Sequence, residues 1–182
     1  MTTVIYISGT PCTGKTTLSN RLSEKFDDIF SISINEFVVE HDLILGEDPN
    51  KGYKVIDIEG LDDKLNDYIK DNVDEGIVIV EGHVSHLCSY CDKCIILRLN
   101  PDILKKRLES RGYSESKILE NLEAEALDVC SVEAYQKHDD KVHELDTSDL
   151  TIDEVLSLVY DIILDKKSFP VGNISFIDYI IK

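Results

Sequence analysis

Positive charge is scarce in this sequence. Nineteen lysines and arginines face 36 aspartates and glutamates, giving a formal net charge of −17 and a pI near 4.5. Such a surface repels nucleic acid and anionic membrane, so direct binding to either is not expected. Any anionic ligand must be held by a local concentration of donors. Apolar runs of membrane-spanning length are missing, and so is a charged-then-apolar leader, so the expectation is a protein that works in the cytoplasm, neither exported nor anchored. Five cysteines, an odd number, argue for free thiols over a disulfide framework. Repeats and low-complexity segments are absent. With 182 residues, 42% of them hydrophobic, the chain can bury one sizeable core, and a single domain over 1–182 is expected.

What is present alternates between two periodicities. Val4 to Ser8 reads as a buried strand and Gly14 to Phe26 as the helix after it. Ile29 to Ile34 is a second strand and Glu36 to Leu45 a short helix. Leu61, Leu65, Tyr68, Ile69 and Val73 recur at helical spacing. "GIVIVEG" and "KCIILRL" are β-branched runs of the kind covered on both faces. Pro101 starts a helix reaching Arg111, and Ser114 caps a long helix in which Ile118, Leu122, Val129 and Val132 share a face. "KVHELDTS" gives a last strand, and Thr151 with Glu154 forms a capping box for a helix to Leu164. Strand and helix in this order predict an α/β fold with a parallel sheet. The tail "SFPVGNISFIDYIIK" is too apolar to stay in water and is expected to dock.

Between the first strand and helix lies "GTPCTGKTT". Gly9, Gly14, Lys15 and Thr16 fit G-x-x-x-x-G-K-[ST] in the strand–loop–helix context that this phosphate-binding P-loop requires. The glycines, with Thr13 between them, let backbone N–H groups converge on phosphate oxygens at a helix N-terminus. Lys15 would reach the β- and γ-phosphates and the Thr16 hydroxyl would bind Mg2+. Ligands in such sheets sit beyond the carboxyl ends of the strands, where "IVIVEGH" delivers Glu81, a carboxylate for the magnesium, and His83. The plainer alternatives are a solvated loop acid and a polar loop residue.

Only four arginines occur, and Arg98, Arg107 and Arg111 fall in one stretch. Arg107 and Arg111, four apart, share a helix face. With strand-end Arg98 they could close over a triphosphate and neutralise charge developing during transfer; the alternative is a solvated basic face with Lys105 and Lys106. "HVSHLCSYCDKC" places Cys88, Cys91 and Cys94 beside His83 and His86, a spacing open to zinc or iron. Cys94, however, begins an apolar strand, where a small buried thiol is commonplace. The expectation is strand packing without a resident metal.

"ISGTPCTGKTT", "VEGH" and "LRLNPDILKKRLESRGYSESKILENLEAE", in this order, resemble the short-lid adenylate-kinase-like proteins, a family that includes the eukaryotic nuclear adenylate kinase isoenzyme and its archaeal counterparts. The resemblance covers nearly the whole chain. It implies a P-loop NTPase fold, three layers α/β/α around a five-stranded parallel sheet, with an NMP-binding region at about 31–54, a short lid at about 99–113 and a docked tail at 168–182. It also implies broad-specificity nucleoside monophosphate kinase activity with ATPase activity, ATP and Mg2+ as cofactors, and a link to small-subunit ribosomal RNA maturation through a platform protein of that subunit. By position, Cys12, Gly14, Lys15, Thr16 and Thr17 would line the phosphates, Arg107 and Arg111 would be lid arginines, Glu81 and His83 the Walker-B-like acid and histidine, and Thr147 to Asp149 would sit by the adenine. Two positions depart from the pattern: Cys12 stands where glycine is common, and Val39 where some members carry an arginine suited to the monophosphate.

Three functions stay open on the sequence: phosphoryl transfer from ATP to a nucleoside monophosphate, an ATPase assembly factor for a ribosomal protein, and a kinase of another small hydroxyl substrate.

Overall fold

The computed structural model describes residues 1–49 and 52–181. Its centre is strand β1 (Thr2–Ser8), followed by α1 (Lys15–Lys25), β2 (Ile29–Ser33), α2 (Ile34–Glu40), a hairpin of β3 (Ile44–Glu47) and β4 (Lys54–Ile56), and α3 (Ile58–Asn72). Then come β5 (Gly76–Glu81), β6 (Lys93–Arg98), α4 (Pro101–Ser110), α5 (Glu115–Ala126), α6 (Val129–His138), β7 (Val142–Asp146), α7 (Ile152–Ile163) and the short α8 (Asp178–Ile181). Five strands form one parallel sheet in the order β2-β5-β1-β6-β7. The P-loop NTPase architecture expected from the sequence is therefore the one observed.

Strand side chains alternate between faces. Ile5, Ile7, Ile79, Ile95, Leu97 and Leu145 pack under α1 and α7, against Leu18, Leu22, Val159 and Ile162. Val4, Tyr6, Val78, Val80, Cys94 and Ile96 pack on the opposite face, against Leu61 and Leu65 of α3 and Ala134 of α6. Each fully buried aliphatic side chain contributes roughly 1.5–3 kcal/mol, so the two layers fix the sheet firmly. A smaller core of Leu99, Leu104, Leu108, Ile118 and Leu122 joins α4 to α5.

Helix starts follow local chemistry. Asp57 caps α3 by accepting from the Gly60 N–H at 3.0 Å, Asn100 caps α4 with Pro101 at its first position, and Thr151 and Glu154 complete the capping box of α7.

Two local expectations are corrected. The helix expected from Glu36 to Leu45 stops at Glu40, because Asp42 takes a left-handed φ of 55° and turns the chain into the antiparallel β3–β4 hairpin. The long helix expected after Ser114 is two helices. Asp128, at φ 58°, breaks it, and its carboxylate is captured by Arg98 Nη2. Ile118 and Leu122 therefore face α4 while Val132 is 47% exposed, so the four residues expected on one face do not share one.

Parts of the tail bond to β7 and pack on the α4–α5 core. The Glu144 N–H donates to the Phe169 carbonyl at 2.8 Å, and the Gly172 N–H donates to Glu144 Oε2 at 2.9 Å. Phe176 lies 5.3 Å from the Arg98 guanidinium, and Tyr179 packs on the α4–α5 core. Lys182 at the tail's end, and residues 50 and 51 of the expected NMP-binding region, lie outside the described residues. Among the described residues no helix is long and apolar enough to cross a membrane.

Candidate active site

The loop after β1 has to turn sharply and pass close to β6. A Cβ on Gly9 would come within 2.5 Å of the Leu97 carbonyl, and Gly9 and Gly14 have φ of 132° and 105°, so glycine fits both positions. Cys12 adopts φ 69° between them, a left-handed conformation that costs a side-chain-bearing residue roughly 1 kcal/mol or more. It holds the backbone there where a glycine would do so freely.

Lys15 opens α1 and folds back over the loop, its Nζ donating to the Gly9 carbonyl at 2.8 Å and the Thr10 carbonyl at 2.9 Å. Burial pushes its pKa down to about 8, with nearby Glu81 and Glu125 opposing the shift. Thr13 Oγ1 donates to the Thr10 carbonyl at 2.9 Å and tightens the turn.

β5 ends on Glu81, only 2% exposed, and the Thr16 hydroxyl lies 3.2 Å from each of its carboxylate oxygens. A threonine hydroxyl and a carboxylate so paired form a hard-oxygen donor set that fits Mg2+ completed by water and phosphate oxygens. His83 follows, with Nδ1 3.2 Å from the Gly9 carbonyl. The residue is exposed, yet the protein around it desolvates the imidazole and lowers its pKa.

Arg107, on the exposed side of α4, donates from Nη1 to the Cys12 carbonyl at 3.3 Å, which sets its guanidinium at the loop. Arg111, which caps α4 one turn later, is exposed beside Tyr113. Thr13, Gly14, Thr17, Arg107, Thr147 and Leu150 border a cavity of about 230 Å³. Asp149 lies exposed in the turn between Thr147 and Leu150. The structure thus gathers Gly9, Cys12, Thr13, Gly14, Lys15, Thr16, Thr17, Glu81, His83 and Arg107 at one end of the sheet.

Arg98 is not among them. It is 1% exposed and bonded to Glu125, Asp128 and Glu144; a strand-end guanidinium with three carboxylates around it is a structural hub. Cys88, Cys91 and Cys94 are fully buried in the core, and burial pushes the Cys88 and Cys91 thiols up to about 12. Cys91 Sγ lies 3.5 Å from Nδ1 of His138, whose pKa burial lowers. Among the described residues no group of three or more His, Cys, Asp or Glu side chains is arranged to hold a metal.

Across the cleft, the β3–β4 hairpin reaches α5: the Tyr53 hydroxyl donates to Glu120 Oε2 at 3.0 Å, and Lys117 Nζ donates to the Gly52 carbonyl at 3.3 Å and stands 4.6 Å from the Tyr53 ring centroid. Val39 is 52% exposed on α2. Sequence reasoning missed Thr10 and Glu125. A signal existed: Ile118, Leu122 and Glu125 follow helical spacing, which puts an acid on an apolar face.

Residues 5–128 match a family model described as an AAA domain. The chain is 45% identical over 173 residues to a protein of Methanothermobacter thermautotrophicus named "Putative adenylate kinase", covering 95% of this chain and 96% of that one. A protein of the same name from Methanococcus maripaludis is 42% identical, with 96% of each chain covered. Among solved structures, thymidylate kinase from Candida albicans superposes with a TM-score of 0.62 at 18% identity, over 95% of this chain and 96% of that one, a likeness of fold.

Proposed function

Since the chain belongs to the adenylate-kinase-like family of these archaeal proteins, we propose that it is an ATP-dependent nucleoside monophosphate kinase with a slow ATPase activity, acting in the cytoplasm. The observation that carries this reading is the convergence of Lys15, the Thr16–Glu81 pair and Arg107 on one loop that borders a cavity. The cavity is small for a drug-sized ligand and suits a single base, which Thr147 and Leu150 would flank with Asp149 near its rim.

On this reading the region 31–54 binds the monophosphate, 99–113 acts as a short lid, and 168–182 stays docked. The triphosphate would lie along Gly9 to Thr17, its β- and γ-oxygens taking Lys15 from the Gly9 and Thr10 carbonyls. Thr16 and Glu81 would hold Mg2+, which when bound neutralises charge across the β- and γ-phosphates. Arg107, and Arg111 once the lid moves inward, would offset charge that develops as the γ-phosphoryl passes to the acceptor. Phosphoryl transfer needs positioning and charge stabilisation above all, and those are what these residues supply.

A second reading, an ATPase assembly factor, is favoured by one observation: the acceptor segment from Ser31 to Asp42 contains no lysine or arginine. A monophosphate dianion is held best by an arginine fork. Acceptor binding should be weak, and His83 beside Glu81 would orient a water in its place. The formal charge of −17 suits a basic partner such as a platform protein of the small ribosomal subunit, and through it a role in ribosomal RNA maturation. A kinase of another small hydroxyl compound is the third reading.

ADP formation from ATP, measured with and without each nucleoside monophosphate, separates them. Stimulation by a monophosphate with a high KM supports the kinase. A rate indifferent to every monophosphate overturns it in favour of the ATPase.

A further inference from the structure

One buried carboxylate outside the cavity bonds the P-loop, the end of β6 and the residue that leads into the cap of α4. Glu125 of α5 is 2% exposed. Its Oε1 accepts from Arg98 Nε at 2.8 Å and from the Leu99 N–H at 3.0 Å, its Oε2 accepts from the Thr10 hydroxyl, and its backbone carbonyl accepts from Arg98 Nη2 at 2.8 Å. Thr10 belongs to the P-loop, and its carbonyl accepts from Lys15 Nζ. Leu99 precedes α4, the helix that carries Arg107. Arg98 offers its own carbonyl to the N–H and hydroxyl of Thr147, both at 2.9 Å, and Thr147 borders the cavity.

Charge balance alone does not account for Glu125. Arg98 already has the Glu144 and Asp128 carboxylates, so Glu125 adds a further negative charge beside the nearly fully buried Arg98 and Glu144. A buried carboxylate is tolerated only where all its lone pairs find donors. The second oxygen of Glu125 accepts from a loop hydroxyl, that of Thr10, which is 1% exposed.

We propose that Glu125 is a positioning residue for phosphoryl transfer, holding Thr10 of the P-loop and Leu99 at the base of α4 in one register so that Lys15 and Arg107 bear on the same phosphate. The inference rests on the kinase reading of the site. Glu125 touches neither substrate. It fixes the Thr10 peptide, and through the carbonyl of that peptide the resting place from which Lys15 reaches the phosphates. A small displacement of such a frame is felt in the chemical step more than in binding.

The test compares Glu125→Gln, Thr10→Val, Thr10→Ser and the double variant Thr10→Val/Glu125→Gln, with Lys15→Ala alongside. Glutamine keeps an acceptor for Arg98 and Leu99 but turns an N–H toward Thr10. Each of Glu125→Gln and Thr10→Val is expected to lower kcat by about tenfold or more with ATP Kd, read by direct titration, changed by less than about threefold. Thr10→Ser, which restores the hydroxyl, should recover most of the kcat lost in Thr10→Val, and the double variant should fall no further than the worse single, because both substitutions break one connection. An unchanged kcat accompanied only by a lower Tm, or losses that multiply in the double variant, overturns the proposal. Thr10→Val leaves the Arg98 cluster intact, so an unchanged kcat in that variant alone is decisive should Glu125→Gln fail to fold. Turnover that survives Lys15→Ala overturns the kinase reading and this inference with it. Turnover lost in Lys15→Ala but intact in Thr10→Val overturns the inference only.

Discussion

Lys15 is the side chain on which most depends. Held 2.8 and 2.9 Å from two loop carbonyls, it is an ammonium stored beside the place where negative charge would arrive. Lys15→Ala should lower turnover by roughly 100- to 1,000-fold while a thermal melt stays cooperative, because the loss is one of electrostatic stabilisation. A folded variant with full turnover refutes the P-loop role. Arg107 meets the loop at Cys12, so Arg107→Ala should depress ATP turnover with every acceptor; a defect confined to the monophosphate KM would mean that it serves the other substrate. For the ATPase, His83→Ala should slow ADP formation in the absence of any acceptor, and Val39→Arg should lower the monophosphate KM, both read in the same coupled assay. The loop, Glu81 and His83 were legible in the sequence because a glycine pattern and a strand-end acid have fixed geometric meanings. Arg98 was not, since a strand-end arginine looks alike whether it faces a phosphate or a ring of carboxylates that lie 27, 30 and 46 positions further along the chain.

Helix termini carry their own tests. The capping box of α7 satisfies orphan N–H groups on both sides of the turn: Glu154 Oε2 accepts from the Thr151 N–H at 2.8 Å, and Thr151 Oγ1 accepts from the Glu154 N–H at 3.3 Å. Thr151→Ala should cost about 1 kcal/mol in urea denaturation. Because α7 shares the cover of one face of the sheet with α1, an unaltered midpoint would mean that the cap contributes nothing there. This helix could be read directly from its cap and its apolar period. The β3–β4 hairpin could not: Leu43 to Glu47 is short and of mixed character, and what separates it from α2 is the positive φ of Asp42, which a sequence pattern does not signal. The break between α5 and α6 escaped for a similar reason. Asp128 at a left-handed turn is stabilised by Arg98, a partner from another element, so its local sequence reads on as helix.

In the molecule as a whole, three histidines, His86, His138 and His143, are at most 9% exposed, and burial lowers the pKa of each below its usual 6.5. A lowered pKa means that the folded state binds fewer protons than the unfolded chain between the folded value and 6.5. The stability they contribute is complete above pH 6.5 and is lost as pH falls through their lower folded values. Melting temperature should therefore decline as pH drops from 7 toward 5, ahead of the window in which Glu154 and Asp165, whose carboxyls are held low by Thr151 and Lys93, begin to protonate. His143→Gln should flatten part of that slope. A melting temperature constant over this range would show that these rings charge in the folded state without penalty.

The first strand of the chain is the middle strand of the sheet. Thr2 pairs with Gly76 on one side and Ser8 with Ile96 on the other, so the segment that carries the nucleotide loop finds neither neighbour until β5 and then β6, near the midpoint of the polypeptide, have been made. Pairings this distant in sequence make folding slow, because a long loop must close before any contact rewards it. During synthesis Val4 to Ile7 must wait, apolar and unpaired, while β5 and β6 are made. A nascent chain halted before β6 has the P-loop sequence without the Leu97 carbonyl that packs against Gly9, so the ability to retain ATP should be missing from every such chain and arrive abruptly only after β6 is made, instead of growing with length.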